Sequence, residues 1–79
     1  MTQGAVIPLN QTETGRRVRL VAIDGGDQLR RRLLSLGLAT GGIVEVVHRR
    51  GGGVVLAREG NRVALGHGVA QKVLVEAVE

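Results

Sequence analysis

The sequence predicts a mostly β protein, a small antiparallel barrel of about five strands with one inserted α-helix. Thirteen glycines divide the 79 residues into short segments, as tight turns do. Most of these segments alternate apolar and polar residues, which is the period of a strand, and only one segment has the helical period. No linker separates them, so we expect a single domain over residues 1–79.

The composition restricts the classes of protein that the chain can belong to. It contains no Phe, Tyr, Trp or Cys, so the core must be aliphatic and neither a disulfide nor a cysteine zinc site is possible. No apolar run approaches the roughly 18 residues of a membrane span, and a secretory signal is not evident. We therefore expect a soluble, cytoplasmic protein.

Alternation predicts the strands. In residues 16–23, Val18, Leu20 and Ala22 share one face, whereas Arg17 and Arg19 share the other. The remaining strands are expected at residues 43–48, 54–59, 62–65 and 72–78. Before them, residues 10–15 are expected to form one helical turn. A two-residue turn at Gly60-Asn61 is expected to join the third and fourth strands.

Residues 27–36 predict the only helix. Leu29, Leu33 and Leu36 lie at i, i+4 and i+7 and form one apolar stripe that faces the barrel. Asp27 is the expected N-cap, because its carboxylate can accept hydrogen bonds from free backbone N–H groups.

The helix is expected to close at Gly37, which adopts the left-handed conformation without steric cost. In that closing motif the next residue, Leu38, packs on Leu33. Five short strands with one helix and no long crossover favour an SH3-like barrel.

A local pattern in this helix resembles the FeoA family, ferrous iron transport protein A. It consists of Arg32-Leu33, two further residues, and then Leu36-Gly37-Leu38, followed by Gly41 and an apolar strand. The resemblance spans about residues 9–75 and departs from the family in two loops, 49–53 and 66–70. It implies an SH3-like domain that acts beside FeoB, the membrane ferrous iron transporter with a GTP-binding domain.

A leucine among arginines is the candidate for partner binding. Leu34 lies off the apolar stripe and beside Arg30, which suggests an exposed anchor for a partner or a second copy of the chain. The candidate binding residues are Arg30, Arg31, Leu34, Gly37 and Leu38. As an alternative, Leu34 packs under the N-terminal segment.

Arg32 is expected to have a structural role. Its stem can lie over the barrel while its guanidinium donates hydrogen bonds to the backbone of the Gly25-Gly26 loop.

No group of residues predicts catalysis, a metal site or a cofactor site. His48 and His67 lack neighbours at ligand spacing, and Ser35, within the helix, has no base beside it in the sequence. We therefore expect a protein that is not an enzyme.

Two other functions remain open. A net charge of +4 admits RNA or DNA as a partner, although the chain lacks aromatic residues that stack on bases. The barrel also resembles the SH3-like domain of metal-dependent repressors.

Overall fold

A computed structural model describes residues 5–78. Its strands, all in one sheet, are β1 (Ile7–Pro8), β2 (Arg17–Ile23), β3 (Ile43–Arg50), β4 (Gly53–Arg58), β5 (Asn61–Leu65) and β6 (Val73–Ala77). Helix α1 (Asp27–Ser35) connects β2 to β3, and the one-turn helix α2 (His67–Ala70) connects β5 to β6. A 3-10 turn, Leu9–Gln11, follows β1. None of these helices is both long and apolar enough to cross a membrane.

The sheet is antiparallel throughout, and its strand order is β1-β6-β2-β3-β4-β5. The 3-10 turn that follows β1 contacts β4 and α2, which lie toward the other end of the sheet. The two ends therefore curve toward each other. This confirms the predicted mostly β, SH3-like barrel, with β1 and α2 added to the expected elements.

The core is aliphatic, as the composition requires. Its members come from every strand of the sheet except β1, from both helices, from the 3-10 turn and from the loop after α1. They are Leu9, Val18, Leu20, Ile23, Leu33, Leu38, Val44, Val46, Val54, Leu56, Leu65, Ala70, Val73 and Val75.

A register shift changes which residues of β2 face the core. Val18 and Leu20 are buried as predicted, but the pairing of β2 with β6 is irregular between Leu20 and Ala22. Beyond this bulge Ile23 is buried, at 8% exposure, whereas Ala22 is only half-buried. The prediction for Ala22 was wrong because a bulge breaks the strict period of two.

Both ends of the predicted helix need correction. Gly26 is the N-cap and Asp27 is the first helical residue, so its carboxylate lies in the first turn instead of capping. Leu36 lies just beyond the helix and is 41% exposed, so it does not extend the stripe of Leu29 and Leu33. The charge of Asp27 still favours the positive end of the helix dipole.

The turn between β4 and β5 consists of Glu59 and Gly60, one residue earlier than predicted. Both have positive φ, 50° for Glu59 and 85° for Gly60, and Arg58 pairs with Asn61 across the strands. Two consecutive positive φ values are typical of a type I′ turn.

Candidate docking surface at the end of the helix

The C-terminal end of α1 is held by a Schellman motif. Gly37 has φ +84°, and its N–H donates to the carbonyl of Leu34 at 2.9 Å. The N–H of Leu38 donates to the carbonyl of Leu33, also at 2.9 Å. These are the two bonds of that motif, and Leu33 and Leu38 are both buried in the core cluster. The prediction that Gly37 closes the helix is confirmed.

Leu34 points away from the core into solvent. It is 62% exposed, the most exposed of the large hydrophobic residues of the described chain, and so it does not pack under the part of the N-terminal segment that begins at residue 5. One helical position turns a side chain by about 100°, which explains why Leu34 is exposed when Leu33 is fully buried. Together with Leu36, it provides exposed apolar surface at the closed end of the helix.

Arginines surround this apolar surface. Arg30 and Arg31 are exposed and lie four and three residues before Leu34, a spacing that places them on the adjoining helix surface. Neither forms an ion pair within residues 5–78. We call Arg30, Arg31, Leu34 and Leu36 the helix-end surface.

A third arginine reaches the same end of the helix from the sheet. Arg58, on β4, places its Nη1 3.0 Å from the position that a Cβ on Gly37 would occupy. Its guanidinium also lies 3.8 Å from the carboxylate of Glu59. A cation near the last carbonyls of a helix is favourable because of the helix dipole. Sequence reasoning missed Arg58, because no local spacing connects a residue of β4 with the helix end.

Two other sequence-based assignments need correction. Leu38 is only 1% exposed and fills the core, so its side chain does not lie on a docking surface. Arg32 is exposed, and within the described chain its guanidinium donates no hydrogen bond to the Gly25-Gly26 loop. Its backbone carbonyl instead accepts a hydrogen bond from the Ser35 hydroxyl at 2.7 Å.

The histidines lie on the sheet and on α2. Within residues 5–78, no three side chains of the metal-binding types come close enough together to hold an ion. His48 is an exposed residue of β3, and the ring of His67 packs against Gly52, where it would collide with a Cβ.

The loop after β3 is open to solvent. Arg49 and Arg50 line a surface depression of about 460 Å³ together with Glu13, Thr14, Gly51 and Gly52. No buried polar group of this loop points into the depression.

One antiparallel sheet with α1 inserted between the paired strands β2 and β3 defines a small SH3-like domain. The end of its helix exposes apolar and basic side chains. Residues 7–77 match the FeoA domain. The chain therefore belongs to the FeoA family, which links it to ferrous iron transport.

Individual relatives agree with this assignment. The chain is 33% identical over 72 residues to a Methanocaldococcus jannaschii protein named "Putative Fe(2+) transport protein A", covering 91% of this chain and 88% of that protein. A crystal structure described as the iron uptake regulatory protein FeoA superposes with a TM-score of 0.85 and 32% identity, covering 94% of this chain and 100% of that one.

A manganese-dependent transcriptional repressor shares the fold as well. The TM-score is 0.83 at 26% identity, and the match covers 92% of this chain but only 37% of the repressor. The chain thus resembles about a third of that protein. The match supports the SH3-like fold, and it carries no regulatory activity over to this chain.

Proposed function

We propose that this protein is a cytosolic accessory component of ferrous iron transport that docks on FeoB through the helix-end surface. Membership of the FeoA family supports a role in that transport system. The observation that carries the docking proposal is the 62% exposure of Leu34 beside two arginines without ion-pair partners in the described chain.

The chemistry of the surface indicates what its partner must offer. Transfer of a leucine side chain from water to an apolar pocket contributes about 1.5–3 kcal/mol, enough for a central anchor. Arginines at the rim of an interface contribute mainly to the rate of association and to the choice of an acidic partner. The matching site on FeoB is therefore an apolar pocket bordered by carboxylates.

Arginine placement argues against nucleic acid as the partner. Arg17 and Arg19 lie on β2, Arg30 to Arg32 on α1, and Arg49 and Arg50 at the end of β3. They lie on three separate elements, and the chain has no aromatic side chain to stack on unpaired bases. A titration with RNA or duplex DNA at increasing salt should give only weak affinity that salt removes.

A binding measurement tests the docking proposal. Purified protein is titrated by calorimetry against the cytosolic GTP-binding domain of FeoB, loaded either with GDP or with a non-hydrolysable GTP analogue. Leu34→Asp is expected to weaken binding at least tenfold, because the charged side chain would have to be desolvated in an apolar pocket.

Val6→Asp is the matched control. Val6 is also an exposed apolar residue, at 50%, but it precedes β1 and lies outside α1. Equal weakening by both variants, or no binding in either nucleotide state, would contradict the proposal. The stability of Leu34→Asp should stay within about 1 kcal/mol of wild type, since the site is exposed.

A further inference from the structure

Strand β5 has an open edge. It lies at one end of the sheet and pairs only with β4, along all five residues Asn61–Leu65 and without a bulge. Within residues 5–78, no backbone group outside β4 bonds to it. Exposed edges of this regular kind readily pair with another strand.

The opposite edge of the sheet differs in this respect. Strand β1 has only two residues, and one of them is Pro8, which has no N–H to donate. Short edge strands and edge prolines are the devices by which proteins prevent such pairing. This chain protects one edge of its sheet and leaves the other available.

The hairpin geometry shows which groups the open edge offers. In a two-residue hairpin the residues that flank the turn, here Arg58 and Asn61, form a hydrogen-bonded pair. Hydrogen-bonded positions alternate, so Asn61, Val63 and Leu65 direct their N–H and C=O groups toward β4. Arg62 and Ala64 therefore direct theirs outward, and both residues are exposed.

This edge is complementary to itself, and we propose that β5 pairs antiparallel with β5 of a second copy of this chain. A two-fold axis at Val63 places Arg62 of each copy opposite Ala64 of the other. The outward groups of these residues then form four hydrogen bonds, and no two charges oppose each other directly. The two Val63 residues face each other as a β-branched pair.

The dimer joins two six-stranded sheets into one continuous sheet. Its interface comprises only a short strand from each copy, which is below the size of a stable protein interface. The expected association is weak and reversible, with a dissociation constant on the order of 100 µM to 1 mM. This pairing uses β5 alone and is independent of the helix-end surface.

Charge substitution at Ala64 tests the register. Since Ala64 lies opposite Arg62 of the second copy, Ala64→Lys should weaken the dimer and Ala64→Glu should strengthen it, each by about 2- to 30-fold. Sedimentation equilibrium at several protein concentrations measures the dimer dissociation constants of the two variants and of the wild type. A strictly monomeric wild type up to 2 mM, or shifts of the same sign for both variants, would overturn the proposal.

Cysteine cross-linking gives a second test in a chain that has no cysteine of its own. The two Val63 residues form a non-hydrogen-bonded pair, whose Cα separation of about 4.5 Å suits a disulfide. Val63→Cys should therefore form a disulfide dimer under mild oxidation. Asn61→Cys should not, because the two Asn61 positions lie at opposite ends of the paired strands; equal cross-linking of both variants would contradict the register.

Discussion

The guanidinium of Arg58 lies against the backbone of Gly37, with its Nη1 3.0 Å from the place where a Cβ would stand. Gly37 also has φ +84°, and this backbone conformation is the main constraint against a side chain, because the Arg58 guanidinium is the flexible end of a long side chain and can shift by a few tenths of an ångström. The hairpin of β4 and β5 and the end of α1 thus contact each other through a residue that has no side chain.

Gly37→Ala is expected to lower the free energy of unfolding by about 1–2 kcal/mol, which is what left-handed backbone costs an alanine. Gly41→Ala is the control, since Gly41 has φ +92° but has no atom within 4 Å of its Cβ position. Urea denaturation gives the free energy of unfolding of both variants. A larger loss for Gly37→Ala than for Gly41→Ala measures the contribution of the contact with Arg58. Where the contact hinders the alanine, Arg58→Ala should lower the free energy of unfolding less in the Gly37→Ala protein than in the wild type.

Leu38→Ala and Leu36→Ala should differ strongly, although the two residues are close neighbours in the family motif. Leu38 is 1% exposed, so its truncation leaves a cavity and should cost about 2–5 kcal/mol. Leu36 is 41% exposed and should cost less than about 1 kcal/mol. Similar losses in thermal denaturation would show that Leu36 contributes to the core after all.

Glu59→Asn should stabilise the protein by roughly 0.5–1 kcal/mol, because asparagine accepts positive φ better and Asn-Gly is the preferred type I′ pair. The present residue holds φ 50° and is the only non-glycine residue of the described chain with positive φ. Glu59→Gln removes the same charge without the conformational advantage and is expected to leave chemical denaturation almost unchanged.

Replacing Arg30 and Arg31 together by Glu should slow association with the GTP-binding domain on the order of tenfold, and salt should then no longer weaken binding. Stopped-flow measurements at several ionic strengths give the rate. The double variant Arg49→Glu and Arg50→Glu changes the net charge equally, but at the end of β3. An equal effect of the two double variants would mean that total charge, and not the helix-end surface, guides the encounter.

Sequence patterns predicted correctly those elements whose structure depends on residues near them in the chain. Gly37 closes α1 because few other residues adopt its φ, and Val73 and Val75 alternate with their neighbours as a half-buried strand must. The errors in the strands arose where strand pairing decides. The bulge before Ala22 depends on the register with β6, and the position of the turn at Glu59 depends on how β4 pairs with β5.

The candidate surface was predictable to a similar extent. Arg30, Arg31 and Leu34 follow from their positions on a helical wheel, and the structure leaves all three exposed. Leu38 was included as part of the motif, although its predicted packing on Leu33 already required burial. Arg58 could not be found, because it comes next to Gly37 only after the sheet has formed.

The closure of α1 has a thermodynamic consequence for the docking that we propose. Leu33 is the only fully buried residue of the helix, and the Schellman bonds hold the same end, whereas no side chain caps the beginning. Leu34 therefore projects from the end of α1 that is already ordered before any partner arrives. A partner that binds there would therefore cost this helix end little conformational entropy, and more of the contact energy would remain as affinity.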